Sequence, residues 1–437
     1  MSSYAAVLRT PHAARAFGAA LLGRLSYGTV PLSLVLAVKD ASGSFAVAGT
    51  AMALFSATSV LLSPARAALI DRYGPRRALV PMAALYAVLL AVLAFVTREP
   101  AGQGGAGTSG ALLGVLAALA GACTPPLGPT MRTLWGQLLP DRRMLQRAYS
   151  LDGVAEELLF VAGPLLVGVL VAYADPAAGV AAGAVLVLVG TVGLALSPIP
   201  FPVRTAESGP VRRKDGRKRA PGSGPRGLRQ PVLAAAGVGL CLGGLDLLAI
   251  AFTEEQHRPG AVAWVLAALS AGSAVGGLAN GAISWRSAAR TRLAVICAAL
   301  GVSLAAAGLA PNVYALGAAA AVAGLFVAPA LTTAYLIADE AAAPGARTRA
   351  GAWVNTAVNA GSSGGTALIG LLVGRLPLAL CFVIVAVPAL LCAAMAPRTP
   401  RTTNRPAEVA GRHAGDRAGE ASESAQPSQA SQRSPSS

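Results

Sequence analysis

The chain is cut into about twelve apolar runs of roughly 20 residues each, the length at which a helix rising about 1.5 Å per residue crosses the hydrocarbon of a bilayer. The runs fall near residues 16–38, 45–70, 78–97, 110–131, 152–173, 177–197, 231–252, 261–284, 291–309, 312–336, 351–374 and 377–396. Backbone polar groups find no water in hydrocarbon, so segments of this kind are restricted to helices that satisfy their own hydrogen bonds. Composition agrees, with 54% hydrophobic and only 12% charged residues, where a soluble domain carries about 25% charged. Arg24 interrupts the first run, which therefore reads as a retained first helix rather than a cleaved signal peptide.

The basic residues orient these spans. Assigned to alternate connections, 30 of the 35 Lys and Arg fall on one side of the membrane. They include Arg66, Arg72, Arg76, Arg77, Arg132, Arg142, Arg143 and Arg147, whereas only Lys39, Arg98, Arg258 and Arg375 lie opposite. Cytoplasmic loops hold the positive excess, so both termini are expected in the cytoplasm. The net charge of +16 is then a property of membrane edges facing anionic lipid, and no nucleic-acid partner is expected. Arg outnumbers Lys by 32 to 3, which suggests a GC-rich bacterial genome and hence the plasma (inner) membrane.

A Pro-, Gly- and Arg-rich stretch divides the spans six and six. We read 1–197 as an N-terminal six-helix half, 198–230 as a basic cytoplasmic linker, 231–396 as a C-terminal six-helix half and 397–437 as a cytoplasmic tail. The tail is rich in Ser, Ala and Pro with almost no aliphatic content, and is expected to be disordered. A shift of 214 residues superposes Arg15 on Arg229, Ser56 on Ser270, Ser59 on Ser273, Arg72 on Arg286 and Arg76 on Arg290. A shift of 202 superposes Arg147 on Arg349, Gly163 on Gly365 and Gly168 on Gly370. Two parallel copies of a six-helix unit are the mark of secondary transporters, whose halves rock about a site near the bilayer midplane. The expected fold class is therefore an all-α membrane protein with about twelve transmembrane helices in two six-helix halves.

Between the second and third runs lies "ARAALIDRYGPRR", Ala65 to Arg77. It resembles the G-x-x-x-D-R-x-G-x-R-R signature of the major facilitator superfamily, with Asp71, Arg72, Gly74, Arg76 and Arg77 matching and Ala67 in place of the first Gly. Twelve spans, a basic central loop and cytoplasmic termini extend the resemblance over about residues 15 to 396. It implies the major facilitator fold and a latch that holds the two halves in one state through charge and helix-dipole contacts, with Asp141 as a partner for Arg72. The second-half equivalent, "GAISWRSAAR", keeps Gly281, Arg286 and Arg290 but has Trp285 where the acid would stand. Gly74 and Pro75 enforce a tight turn here, and positive-inside bias alone does not call for an aspartate. In the fifth run, "DGVAEELLFVAGPLLVG", Gly163 and Pro164 resemble the Gly-Pro core of a motif carried mainly by proton-coupled exporters of the family. The arginine such exporters carry inside span four does not occur in "LLGVLAALAGACTPPLGP". Small residues also let helices pack closely, which makes the pair a helix-packing motif in either case.

Ionisable groups within spans cost roughly 2.5 kcal/mol or more when unpaired and mark pathways or relays. Asp152, Glu156 and Gly163 share one helical face, with Glu157 about 100° round. Measured from Arg147, Glu156 and Glu157 lie roughly 13 to 15 Å deep, and Arg24 is about 13 Å deep measured from Arg15. Two carboxylates and a guanidinium at that depth invite an ion pair, and adjacent acids disfavour each other's charge. Asp246 is a further intramembrane acid, beside Gly243 and Gly244, which would leave room for a substrate. Glu254 and Glu255 sit at the outer mouth. The transport and coupling candidates are thus Arg24, Asp152, Glu156, Glu157 and Asp246, and Asn355 and Asn359 are placed to hydrogen-bond a polar substrate.

Other chemistries find no support. The five Cys have no CxxC spacing, the three His are scattered, and there is no phosphate-binding G-x-x-x-x-G-K-[ST] loop. No cofactor, metal or enzymatic activity is expected, and the energy must come from an ion gradient. The leading expectation is a monomeric secondary active transporter that exports a small organic molecule, a drug or metabolite, in exchange for protons. Its alternatives are an uptake permease and a non-transporting membrane sensor or scaffold of the same fold.

Overall fold

The structure is a computed structural model. It describes residues 4–98, 109–139, 141–199, 225–285, 287–343 and 345–394, all within one compact unit, Met1–Ala396. Most of the expected linker, the expected tail and the repeat position Arg286 lie outside the described residues.

Among the described residues fifteen α-helices follow one another: α1 Tyr4–Arg9, α2 Ala13–Ser42, α3 Phe45–Leu61, α4 Ser63–Tyr73, α5 Pro75–Val96, α6 Gly110–Cys123, α7 Leu127–Leu138, α8 Arg142–Tyr173, α9 Pro176–Ala195, α10 Pro225–Glu255, α11 Val262–Ala282, α12 Ala289–Ala307, α13 Val313–Ala341, α14 Arg347–Leu372 and α15 Leu378–Ala394. Among the described residues nine segments are long and apolar enough to cross a membrane, with α6 and α7 counted as one. A tenth is the pair α3 and α4, bent by 43°. Of the remaining two, α15 is 17 residues long, and α14 has 26 but is diluted by Asn355, Asn359, Ser362 and Ser363. The twelve runs thus map onto twelve segments, two of them broken.

Local chemistry explains the ends and the breaks. Asp141 caps α8, its carboxylate accepting from the backbone N–H of Arg143 (3.3 Å) and Met144 (3.2 Å). Asn312 caps α13 in the same way. Between α4 and α5 Gly74 sits at φ 80°, a conformation that side chains resist, and Pro75 starts the next helix. The run 110–131 does not stop where its apolar residues do. Pro125 and Pro126 interrupt it, but α7 resumes at Leu127 and carries on to Leu138. Tyr27 bridges the gap, donating its hydroxyl hydrogen to the carbonyl of Pro125 and accepting from the N–H of Leu127 (3.1 Å).

Each half repeats one packing pattern. In the first, α2 packs on α8 and α9, α3 on α6, and α5 on α9; in the second, α10 packs on α14 and α15, α11 on α13, and α12 on α15. The pairings correspond span for span, as the sequence shifts require. Two apolar clusters form the core, one built around Leu34, Tyr86 and Trp135 and reaching Tyr335 and Val354 across the junction of the halves, the other around Leu248, Leu300 and Phe382 within the second half. The halves meet where α8 packs on α11 and α13, and where α4 and α7 pack on α14.

Candidate functional site

Four charged side chains form a closed ring in the first half. Arg24 of α2 lies 2.7 Å from Asp152 and 3.0 Å from Glu156, and Arg132 of α7 lies 3.0 Å from Asp152 and 2.6 Å from Glu156. Asp152 and Glu156 are one helical turn apart on α8, so a single face presents both carboxylates to the two guanidinium groups. The ring is formally neutral. Arg24, at 1% exposure, is among the largest fully buried side chains of the protein, and Asp152 is wholly buried. The ring is supported from outside as well. The Arg132 guanidinium stacks 3.9 Å over the ring of Tyr335 on α13, and Tyr149 donates its hydroxyl to the Arg132 carbonyl (3.1 Å).

This arrangement corrects three expectations. By sequence Arg132 counts among the arginines of the basic connections, because the apolar window ends at 131; in the structure it lies in α7 and completes the ring. Span four therefore does carry an arginine, beyond the Pro125–Pro126 break. Arg66, also assigned to a connection, is buried, and it donates to the carbonyls of Ser59 (2.5 Å), Gly121 (2.7 Å) and Ala122 (2.8 Å). Glu157, expected beside Arg24, points elsewhere and accepts from the Ser273 hydroxyl on α11 (3.1 Å). The 100° offset read from the sequence is the cause.

Glu156 also opens, at 27% side-chain exposure, onto a central cavity of two lobes. One lobe, of about 440 Å³, lies between the halves and is lined by Arg132, Glu156, Glu157, Asp246, Tyr335 and Asn355, among others. The other, of about 340 Å³, reaches Tyr27, Arg66 and Tyr86 in the first half. Glu156, Phe160, Asn355, Asn359 and Ser362 line both lobes. Asp246 faces the first lobe, but Gly243 and Gly244 are not what makes the space. A side chain on Gly243 would strike the Ser362 carbonyl and one on Gly244 the side chain of Val385, so these glycines seat α10 against α14 and α15. Glu254 and Glu255 are exposed.

At the arginine-rich end the halves are joined through Asp71. Its carboxylate accepts from the backbone N–H of Thr348 (3.2 Å) and Arg349 (2.9 Å), in the first turn of α14. A helix N-terminus presents unpaired N–H groups and a partial positive charge, which is what a carboxylate complements. Thr133 and Thr348 share a hydrogen bond (3.1 Å), Arg292 donates to Gln146 (3.1 Å), and Arg142 pairs with Glu340 (2.7 Å). Arg76 donates to the Ala195 carbonyl (2.9 Å) within its own half. Arg72 stacks on Tyr73, and Asp141, occupied as the cap of α8, is not its partner. In the second half Trp285, where the acid would stand, lies against Arg292.

Gly163 and Pro164 lie in α8, where the backbone of Gly163 rests on that of Gly28 in α2. Pairs of small residues allow such an approach.

A family model, the Major Facilitator Superfamily, matches residues 16–256 and 232–428. The chain belongs to that superfamily. Similar solved structures include a bacterial homologue of the iron transporter ferroportin in an outward-facing state with soaked iron (16% identity, 88% of this chain and 96% of that one, TM-score 0.65). Others are the human organic anion transporter MFSD10 (14%, 91% and 100%, 0.67) and the E. coli fucose:proton symporter FucP (15%, 88% and 98%, 0.58). No curated protein matches the sequence. At these identities the neighbours share the major facilitator fold alone. That fold is the fold of multi-pass membrane transporters that bind small molecules, not of enzymes.

Proposed function

We propose that this protein is a proton-coupled exporter of a small organic molecule, working by alternating access in a bacterial plasma membrane with both termini in the cytoplasm. One observation carries the reading. Asp152 and Glu156 are held by two arginines, whereas Glu157 and Asp246 face the cavity from opposite halves with no cationic partner among the described residues. A carboxylate that is not clamped is free to load a proton on one side and release it on the other as the halves rock. The neutral ring fixes α2, α7 and α8 beside it. The Gly163–Pro164 pair supports export, and the contact of Asp71 with α14 supports a latch between the halves.

The test is proteoliposomes carrying an internal pH dye, challenged with a panel of organic cations, organic anions and neutral solutes. At least one class is expected to drive a protein-dependent pH change that Glu157→Gln or Asp246→Asn abolishes, while exchange of the same labelled solute persists at raised solute concentration. If no solute in any class moves protons, the protein is not proton-coupled.

A further inference from the structure

The proposed function leaves the cargo open, and the charges of the cavity narrow it. We propose that the substrate is an amphipathic organic cation seated between Glu157 and Asp246, with Phe160 as its aromatic wall; this rests on the transport reading above.

The charged and titratable groups facing the larger lobe come from four helices. α7 offers Arg132, α8 offers Tyr149, Glu156 and Glu157, α10 offers Asp246, and α13 offers Tyr335. α11 and α14 contribute Ser270, Ser273, Asn355 and Asn359, which carry no charge. Arg132 is consumed by Asp152, Glu156 and the face of Tyr335. The four-membered ring sums to zero, so two negative charges remain in the lobe with no built-in counter-ion among the described residues. Glu157 has one neutral donor, Ser273, and Asp246 has no hydrogen bond or ion pair among the described residues. Glu157 is half-buried and Asp246 exposed to the cavity, and two uncompensated like charges facing one cavity between apolar walls attract a counter-charge, either protons or a cation.

The remaining walls select which cation. Phe160, 56% exposed, opens into both lobes, while Leu242, Leu269, Val327 and Leu331 supply apolar area. A small hydrated metal ion gains nothing from such walls, whereas an aromatic or alkylated ammonium or phosphonium gains dispersion and cation–π contact. About 440 Å³ lies within the range of drug-sized sites, roughly 300–1,000 Å³. Arg66, in the second lobe, is aimed at three carbonyl oxygens and does not offset the acids of the first.

Proton and cation then compete for the same two carboxylates. Acidification protonates Glu157 and Asp246 and expels the cation; cation binding releases protons. The two acids sit on opposite halves, so a ligand that bridges them is felt by both.

The experiment is direct binding of tetraphenylphosphonium to the purified full-length protein in detergent, with tetraphenylborate as a size-matched anion, between pH 6 and 8.5. Tetraphenylphosphonium is expected to bind at pH 8.5, to weaken as pH falls, and to release protons into weakly buffered solution. Glu157→Gln and Asp246→Asn are each expected to weaken it by about tenfold or more, the loss of one charged contact. Asp246→Asn disturbs no hydrogen bond among the described residues, so its folding is secure. Phe160→Ala is expected to weaken binding without altering its pH dependence. Failure of the cation to bind the folded protein, equal binding by the Glu157→Gln/Asp246→Asn double variant, or preference for tetraphenylborate would each overturn the proposal. Should only anions or neutral solutes move protons in the liposomes, the transport reading survives and the cation assignment falls. Cation binding without any proton movement in the liposomes upholds the cation site and removes proton coupling.

Discussion

At the scale of single residues, the ring explains why a chain so poor in charge keeps four charged groups at its heart. Each guanidinium touches both carboxylates, so removing one arginine leaves the buried Asp152 and the half-buried Glu156 facing one cation. Breaking a buried pair from one side costs roughly 3–5 kcal/mol. Arg132→Ala is therefore expected to lower the thermal unfolding temperature in detergent markedly and to abolish transport. Arg132→Lys, with a single point charge in place of the fork that reaches both acids and stacks on Tyr335, is expected to recover only part of the stability. Stability of Arg132→Ala equal to the parent would mean the ring is incidental. The sequence reveals three of the four ring residues. Arg24 and Glu156 follow from depth along their helices, and Asp152 from its place one turn before Glu156. Arg132 does not, because the apolar window ends at 131 and an arginine just beyond such an edge looks like a loop residue. Arg66 is misread for a different reason: it lies near the end of the run 45–70 and counts by sequence with the topology-setting arginines, and position in sequence says nothing of which carbonyls a guanidinium will find.

At the scale of helices, the contact of Gly163 with Gly28 brings α8 and α2 close enough for Arg24 to reach both acids. A methyl group on Gly163 would occupy the space of the Gly28 backbone. Gly163→Ala is therefore expected to force the helices apart, and overpacking of this kind costs typically about 1–3 kcal/mol. The expected readouts are a lower unfolding temperature and reduced transport, while a neutral outcome would mean that α2 and α8 slide without penalty. At the arginine-rich end Asp71 contributes charge to the first turn of α14, an interaction of about 0.3–2 kcal/mol. Asp71→Asn is expected to express and insert normally, because the positive-inside arginines remain, but to cut transport and to populate a state with this end open. Spin labels at Leu69 and Ile283, in a cysteine-free background, measure that opening, and an unchanged distance distribution with parental transport would remove the latch. Gly74, Pro75 and Asp71 are legible in the sequence as a turn built for more than topology. The partner is not, since the N–H groups of Thr348 and Arg349 belong to a helix almost 280 residues away, and no side-chain pattern announces a backbone donor.

For the whole molecule, the duplication read from a handful of matching arginines and glycines reappears as matched helix pairings, yet the chemistry is unevenly shared. The ring belongs to the first half alone, and the second half contributes Asp246, a polar α14 and half of the cavity. One consequence concerns how the protein is made rather than how it works. α14 fails the length-and-apolarity criterion that nine other segments meet, because the face that lines the cavity carries Asn355, Asn359, Ser362 and Ser363. Leaving the translocon alone, such a segment partitions poorly into lipid. It needs a surface already waiting, and α10 supplies one at Gly243, where the Ser362 carbonyl nests against the helix. The eleventh span thus enters the bilayer as a protein contact rather than as a greasy cylinder, after α10 is in place and before α15 shuts the bundle. Defects in that groove would be met first by the membrane's quality-control proteases, long before any substrate arrives.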